Sequence, residues 1–480
     1  MTDRWLNNLN FPSLFFNRFG FREKIFPVSC LTCSSVIFIM MNIRLLLTGL
    51  AFYCTLFAGL SGYAQAGKEV FLPSKIWRVP EGNDFNNPES EFSHHRKLES
   101  ENIAIFWSKE FGDDPMKNPD EKKRFDVREA SKELERFYDD YVNVLKIVEK
   151  GKSLSDKYKI LLFVIGGDEH TAYGGGAEEV GCLWTPAVRM SKAPYGALAH
   201  ELGHSFQYLA GKDSGRGFRS SIMEMSAQYM LWQVYPEWMT FENYHLVSYL
   251  QKTHFAFLHG TNMYHSPYVI EYWSDKHGKD FFGKLLRSPE QGEDPVMTYK
   301  RITGISQEKF NDEIFDAACR FMTWDLPRVE QVAAKYANMH QSKLVADTGQ
   351  WYRITEENCP QDYGYNGIRL VVPKPGARVQ VELEGLAGTP GYRAIRTESA
   401  GWRYGLVAVK KDGSRVYGDT HRKPGKAVFK VPADTEYLWL VVSGAPLTHV
   451  TVARKDEENA QWPYRIKVKG TVPEKEFVKN

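Results

Sequence analysis

The densest chemistry in this 480-residue chain lies in Ala199-His200-Glu201-Leu202-Gly203-His204-Ser205, where His-Glu-x-x-His falls inside a stretch of helical character. On an α-helix, residues four apart are separated by about 400° of rotation and about 6 Å of rise. His200 and His204 therefore project their imidazoles from one face on successive turns, a spacing that chelates a metal. Glu201 is offset by about 100° from His200, which sets its carboxylate beside the metal rather than on it, where it can take a proton from a water. Two neutral imidazoles point to zinc, Zn2+, which needs a third protein ligand and one open position for catalysis.

The helix that must carry these groups is visible in its own pattern. Tyr195, Leu198, Ala199, Leu202, Phe206 and Leu209 form an i, i+3, i+4, i+7 stripe that buries one side and leaves the histidines facing a cleft. Pro194 and Gly211 are the expected punctuation at its two ends. A compact three-histidine site would need Gly at 207 and His at 210, but the chain has Gln207 and Ala210. Asp213 is one candidate third ligand, and Glu224 is the favoured one. A second helix is expected to begin at Ser220-Ser221 and to end before Pro236, and the glycine-rich linker 211–217 can turn it back antiparallel.

His200-Glu201-x-x-His204 followed by Glu224 resembles the gluzincin metallopeptidases, the thermolysin-like clan, down to the 24 residues between the first His and the ligand Glu. The resemblance covers about residues 195–230 and implies a zincin-like catalytic domain that hydrolyses peptide bonds. In that clan the residue four after the ligand Glu is often an Asp that orients a zinc histidine. Here it is Gln228, which can accept the same N–H bond without the charge. Zinc peptidases also need a donor for the oxyanion, usually Tyr or His, and Tyr264 or His265 in the turn-rich segment 261–268 is the candidate. A purely structural role for both is the competing reading. The whole chain looks like a secreted family with a zincin core and a β-rich carboxy-terminal domain, from which no substrate follows.

The amino-terminal 66 residues stand apart. Met41-Asn42-Ile43-Arg44, the apolar run 45–60 and Ala64-Gln65-Ala66 have the three regions of a secretory signal peptide. Translation is then expected to start at Met41, with residues 1–40 a mis-assigned extension, and no stable membrane insertion is expected after cleavage because about 16 apolar residues are short for a span. The remaining chain carries 56 basic against 57 acidic side chains, which argues against nucleic acid as a partner. Its three cysteines, Cys182, Cys319 and Cys359, include no CxxC pair and cannot form a disulfide scaffold.

Periodicity orders the rest. Residues 67–100 read as an irregular lead-in with an exposed His94-His95 doublet, 102–107 as a strand, 127–149 as one long amphipathic helix and 158–165 as a buried strand. The run 166–176 is too glycine-rich for regular structure, with His170 as a loop residue, and 180–185 reads as an edge strand beside the cleft, suited to pairing with an extended peptide. Helices follow at 241–251, 267–277, 280–287, 307–322 and 327–342, forming a lower lobe. From about 345 the period becomes two, with strands around Val379 to Leu383, a hairpin through Asp412-Gly413, and strands at 427–431, 437–442, 449–453 and 464–468. Trp351, Trp402 and Tyr404 are either a sugar-stacking face or core, core being the commoner fate.

The expected fold class is α+β: a zincin-like domain with a helical lower lobe over residues 67–344, then an all-β sandwich over 345–475. The expected function is a secreted zinc metallopeptidase acting on a protein or glycoprotein substrate. A zinc hydrolase of non-peptide bonds, or a carbohydrate- or protein-binding module with a relict zinc site, are the competing classes. Nothing in the pattern speaks to oligomeric state.

Overall fold

The computed structural model describes residues 67–479, so the expected signal segment 41–66 and the preceding 1–40 lie outside the described residues. From Gly67 onward the chain forms one compact unit of mixed α+β structure. Its first layer is a five-stranded sheet in the order β1-β2-β3-β5-β4, built from β1 (Lys97–Glu99), β2 (Ile103–Trp107), β3 (Ile160–Ile165), β4 (Tyr173–Ala177) and β5 (Val180–Pro186). β2, β3 and β5 run parallel, and all three are buried throughout, which explains why only Thr185 interrupts their apolar sequences. One face meets the helices. The other is covered by the lead-in, whose Ile76 and Phe92 pack on Phe106, Phe163 and Trp184.

Two expectations about this sheet are corrected. The glycine-rich run is not wholly irregular, because Tyr173-Gly174-Gly175-Gly176-Ala177 forms β4 and pairs antiparallel with β5. β5 is consequently an interior strand and β4 is the edge. Glycine serves close approach here: a Cβ on Gly174 would sit 2.1 Å from the Glu201 carbonyl oxygen, and one on Gly176 would sit 2.0 Å from the Tyr208 ring.

Helix α1 (Val127–Asp139) is shorter than its amphipathic pattern suggested. It widens into a π turn at Asp140–Val144, and Lys146 then takes a positive φ of 49°, so that Ile147 and Val148 enter the core as turn residues. α2 (Gly196–Ser214) buries the predicted stripe, and it runs past Gly211 to a left-handed cap at Gly215. α3 (Ile222–Val234) begins after Ser221 as expected. The helices that follow are α4 (Trp238–Phe241), α5 (Asn243–Gln251), α6 (Tyr268–His277), α7 (Phe281–Arg287), α8 (Pro295–Thr303), α9 (Gln307–Phe321) and α10 (Pro327–Ala333). α8 was not foreseen, and the last helix stops well short of residue 342. No helix of the described residues is long and apolar enough to cross a membrane.

Strands resume at β6 (Leu344–Asp347) and form two sheets. The four-stranded one has the order β11-β10-β13-β8, from β8 (Tyr365–Leu370), β10 (Trp402–Lys410), β11 (Arg415–Tyr417) and β13 (Thr435–Gly444). The six-stranded one has the order β12-β9-β14-β7-β6-β15, adding β7 (Trp351–Ile354), β9 (Arg378–Gly385), β12 (Gly425–Lys430), β14 (Tyr464–Lys469) and β15 (Val478–Lys479). β9 alternates buried Val379, Val381 and Leu383 with more exposed neighbours, whereas β10 is buried on both faces. The reason is its position between α9, whose Phe315 reaches Gly405, and the six-stranded sheet, whose Gly385 receives the Trp402 ring. Trp402 and Tyr404 are therefore core, while Trp351 is half-buried beneath the Arg465 guanidinium. Residues 449–453 form no strand. All three cysteines of the described residues are free and buried.

Candidate metal centre

α2 and α3 lie side by side and antiparallel, as their cross-contacts show: His200 meets Gln228, His204 meets Glu224, and Gln207 meets the Met223 carbonyl. The helices come close where Gly203 faces Ala227, since a Cβ on Gly203 would touch the Ala227 Cα at 3.4 Å. That crossing brings His200, His204 and Glu224 together, with one ligand atom from each lying within 4.8 Å of the others. Asp213 is elsewhere, accepting a hydrogen bond from the Leu154 backbone N–H, and His170 is exposed in its loop.

The donor set fits zinc in chemistry, and its two His–Glu224 edges fit in size. Glu224 Oε2 stands 3.3 Å from His200 Nε2 and 3.3 Å from His204 Nε2. A tetrahedral ion with ligands about 2.0–2.1 Å away requires donors about 3.3–3.4 Å apart. Both imidazoles are held by their other nitrogen. His200 Nδ1 lies 2.9 Å from Gln228 Oε1, and His204 Nδ1 lies 2.8 Å from Gln207 Oε1. Gln207 Nε2 donates to the Met223 carbonyl and to Ser226 Oγ, which leaves Oε1 to face the ring. Nδ1 is then the protonated nitrogen, and the Nε2 lone pairs are turned towards Glu224. Glu224 also answers to positive charge at this point: burial pushes its carboxyl up, but the two histidines, when protonated on Nε2 as well, donate to it and hold the group well below the ordinary range. Burial likewise pushes His204 down, and Glu224 more than reverses it.

Glu201 stands beside these ligands without joining them. Burial raises its carboxyl above the ordinary value, with His200 and His204 pulling the other way. The group is thus a better proton acceptor than a solvated glutamate.

Two cavities share the ligands. A larger one of about 910 Å³ is lined by His204 and Glu224 together with Gly174 and Tyr208, and a second of about 540 Å³ by His200, Glu201, Gln228, Trp238, His245 and Tyr264. The Tyr264 ring lies 6.4 Å from that of His200, at 30°. Burial first and the Glu224 carboxylate second push its phenol up to about 12, so it remains a hydrogen-bond donor at neutral pH. His265 lines neither cavity; its Nδ1 lies 2.8 Å from His245 Nδ1, and it is His245 that faces the second cavity. Gln207 and His245 were not singled out from sequence. Gln207 sits three residues after His204 on the same helix, a readable signal, whereas His245 is 45 residues from His200 and carries no local sign.

Solved structures offer distant likenesses. A Yersinia pseudotuberculosis-derived mitogen matches at 9% identity and a TM-score of 0.17, over 25% of this chain and 81% of its own. Accessory secretory protein 1, 2 and 3 of Streptococcus pneumoniae matches at 10% identity and 0.16, over 27% and 86%. The glycosylation-associated Gap123 complex of Streptococcus agalactiae matches at 9% and 0.16, over 27% and 39%. Likenesses at these scores carry no weight for fold or function. No curated protein matches. Residues 63–475 match a family model, and the chain belongs to that family, DUF6055, described as a family of unknown function.

Proposed function

We propose that this chain is an exported, zinc-dependent metallopeptidase of the gluzincin type, with a zincin-like core, a helical lower lobe and a carboxy-terminal β-sandwich, acting on proteins or glycoproteins. One observation carries the reading. Glu224 stands at the edge length of a zinc tetrahedron from each of two imidazoles, each imidazole oriented by a glutamine amide, with a second, half-buried carboxylate, that of Glu201, beside them.

His200, His204 and Glu224 would hold the ion, and bound zinc would supply Lewis acidity to a carbonyl and to water. Glu201 takes the proton of the attacking water and delivers it to the leaving amine, the role its raised affinity for protons suits. Tyr264 donates its O–H to the oxygen on which negative charge develops. The open edge of β4 offers main-chain groups to an extended peptide beside the centre, because Gly174 rides directly on the Glu201 backbone.

The test is the pair Glu201→Gln and Glu224→Ala in the secreted chain. Glu201→Gln is expected to retain metal near the wild-type level and to lose cleavage of denatured proteins by a factor of about 10² to 10⁴. Glu224→Ala is expected to lose metal as well. New termini are counted by mass spectrometry, with and without chelator. Full cleavage by Glu201→Gln with metal retained would remove the hydrolytic reading.

A further inference from the structure

The larger of the two cavities is lined by as many basic as acidic side chains, but only basic ones are left without partners, and that identifies what enters it. Its lining includes the basic side chains Lys212, Arg216 and Arg219 and the acidic side chains Glu224, Glu290 and Glu293. The acids are spoken for. Glu224 belongs to the two histidines, while Glu290 and Glu293 pair with Arg301 at 3.5 and 2.7 Å. Lys212 has Glu179 at 3.7 Å. Arg216 and Arg219 are left: among the described residues neither side chain makes an ion pair or a hydrogen bond. They flank Phe218, which is buried at 6% exposure and pins the α2–α3 turn to the body, so both arginines are carried at the cavity wall by an anchored segment.

We infer that this cavity is a subsite for a carboxylate-bearing part of a peptide substrate, held by Arg216 and Arg219 to one side of the bond presented to the metal centre. The inference rests on the peptidase reading and names the substrate class for it. Guanidinium groups bind carboxylates in a fixed planar fork, and two unpaired ones beside a cleft select an anionic group more than they strengthen binding in general. The apolar lining residues Met223, Leu286 and Pro289 receive the aliphatic part of an acidic side chain. Two sources of carboxylate fit, an Asp or Glu side chain and a free peptide carboxy terminus.

The test uses the full secreted chain carrying Glu201→Gln, so that peptides bind without being consumed, and reads fluorescence anisotropy. The probes are a short capped peptide containing glutamates, its glutamine counterpart, and that counterpart with a free carboxy terminus. The glutamate peptide is expected to bind about tenfold more tightly than the glutamine peptide. That preference should vanish in Arg216→Ala/Arg219→Ala, persist in large part in Arg216→Lys/Arg219→Lys, and fade at 1 M salt, where charges are screened beyond about 3 Å. If the glutamine peptide gains the same advantage from a free carboxy terminus, the terminus is the anion recognised. Equal affinities of all three peptides, absence of binding by all of them, or a preference that survives removal of both arginines overturns the subsite. Cleavage by the wild-type chain is followed in parallel: an intact binding preference with no peptide ever cut removes the peptidase reading and leaves the anion subsite standing.

Discussion

Gln207 Oε1 accepts the Nδ1–H of His204 at 2.8 Å while Gln207 Nε2 donates to the Met223 carbonyl on the facing helix at 2.7 Å. One side chain thereby couples the aim of a ligand to the pairing of the two helices that bring the ligands together. Gln228 does the same for His200 from the opposite helix. Neutral amides occupy both orienting positions, so the imidazoles are aimed without the added basicity that a carboxylate partner supplies.

Gln207→Met, close to the wild-type volume, should therefore leave α2 folded while loosening His204. The expected effect is a loss of zinc affinity of about 10- to 100-fold, measured by competition against a chelator of known strength. Unchanged affinity would mean that the helix backbone alone aims the ring.

Gly174 and Gly175 are adjacent in β4 and differ only in what lies above them. A methyl at 174 meets the Glu201 carbonyl at 2.1 Å, and one at 175 meets nothing within 4 Å. Gly174→Ala should lose about 1–3 kcal/mol of stability in a denaturant titration. It should also displace Glu201 enough to slow peptide cleavage by about tenfold or more. Gly175→Ala should do neither. Equal behaviour of the two variants would show that strand β4 can move off the helix without consequence.

His340 is fully buried between Trp324, Tyr365 and Trp439, and burial lowers its pKa to about 3. In the unfolded chain it titrates near 6.5. Because the folded value is the lower one, the unfolded state binds the proton first as pH falls. Stability is then complete above about pH 6.5 and declines by about 1.4 kcal/mol per pH unit below it, until about pH 3. His245, His254 and His265, each lowered to about 4 by burial, act in the same direction. His340→Gln should flatten the fall of thermal midpoint between pH 7 and pH 4 relative to wild type. An identical slope would exclude His340 as a source of acid sensitivity.

Much of the candidate metal centre can be read along the chain because it is written in local periodicity. The four-residue step of His200 and His204 is a property of any helix, and the apolar stripe from Tyr195 to Leu209 states which face is buried. Glu224 follows once a second helix is turned back by the linker, and the alternation of Val379, Val381 and Leu383 declares a half-buried strand. Long-range packing accounts for the remainder. The same glycines that signal a loop in sequence form β4, since only contact with Glu201 and Tyr208 reveals why a side chain is forbidden there. An apolar pattern carried to residue 149 did not keep α1 helical, because Leu145, Ile147 and Val148 can be buried from a turn as well as from a helix. Tyr264 and His265 are neighbours in sequence, yet one phenol lines the cavity and the other ring bonds to His245. Spacing along a helix or strand depends on backbone geometry common to all proteins, whereas the choice between two adjacent side chains depends on which remote surface closes over them, and that surface exists only after folding.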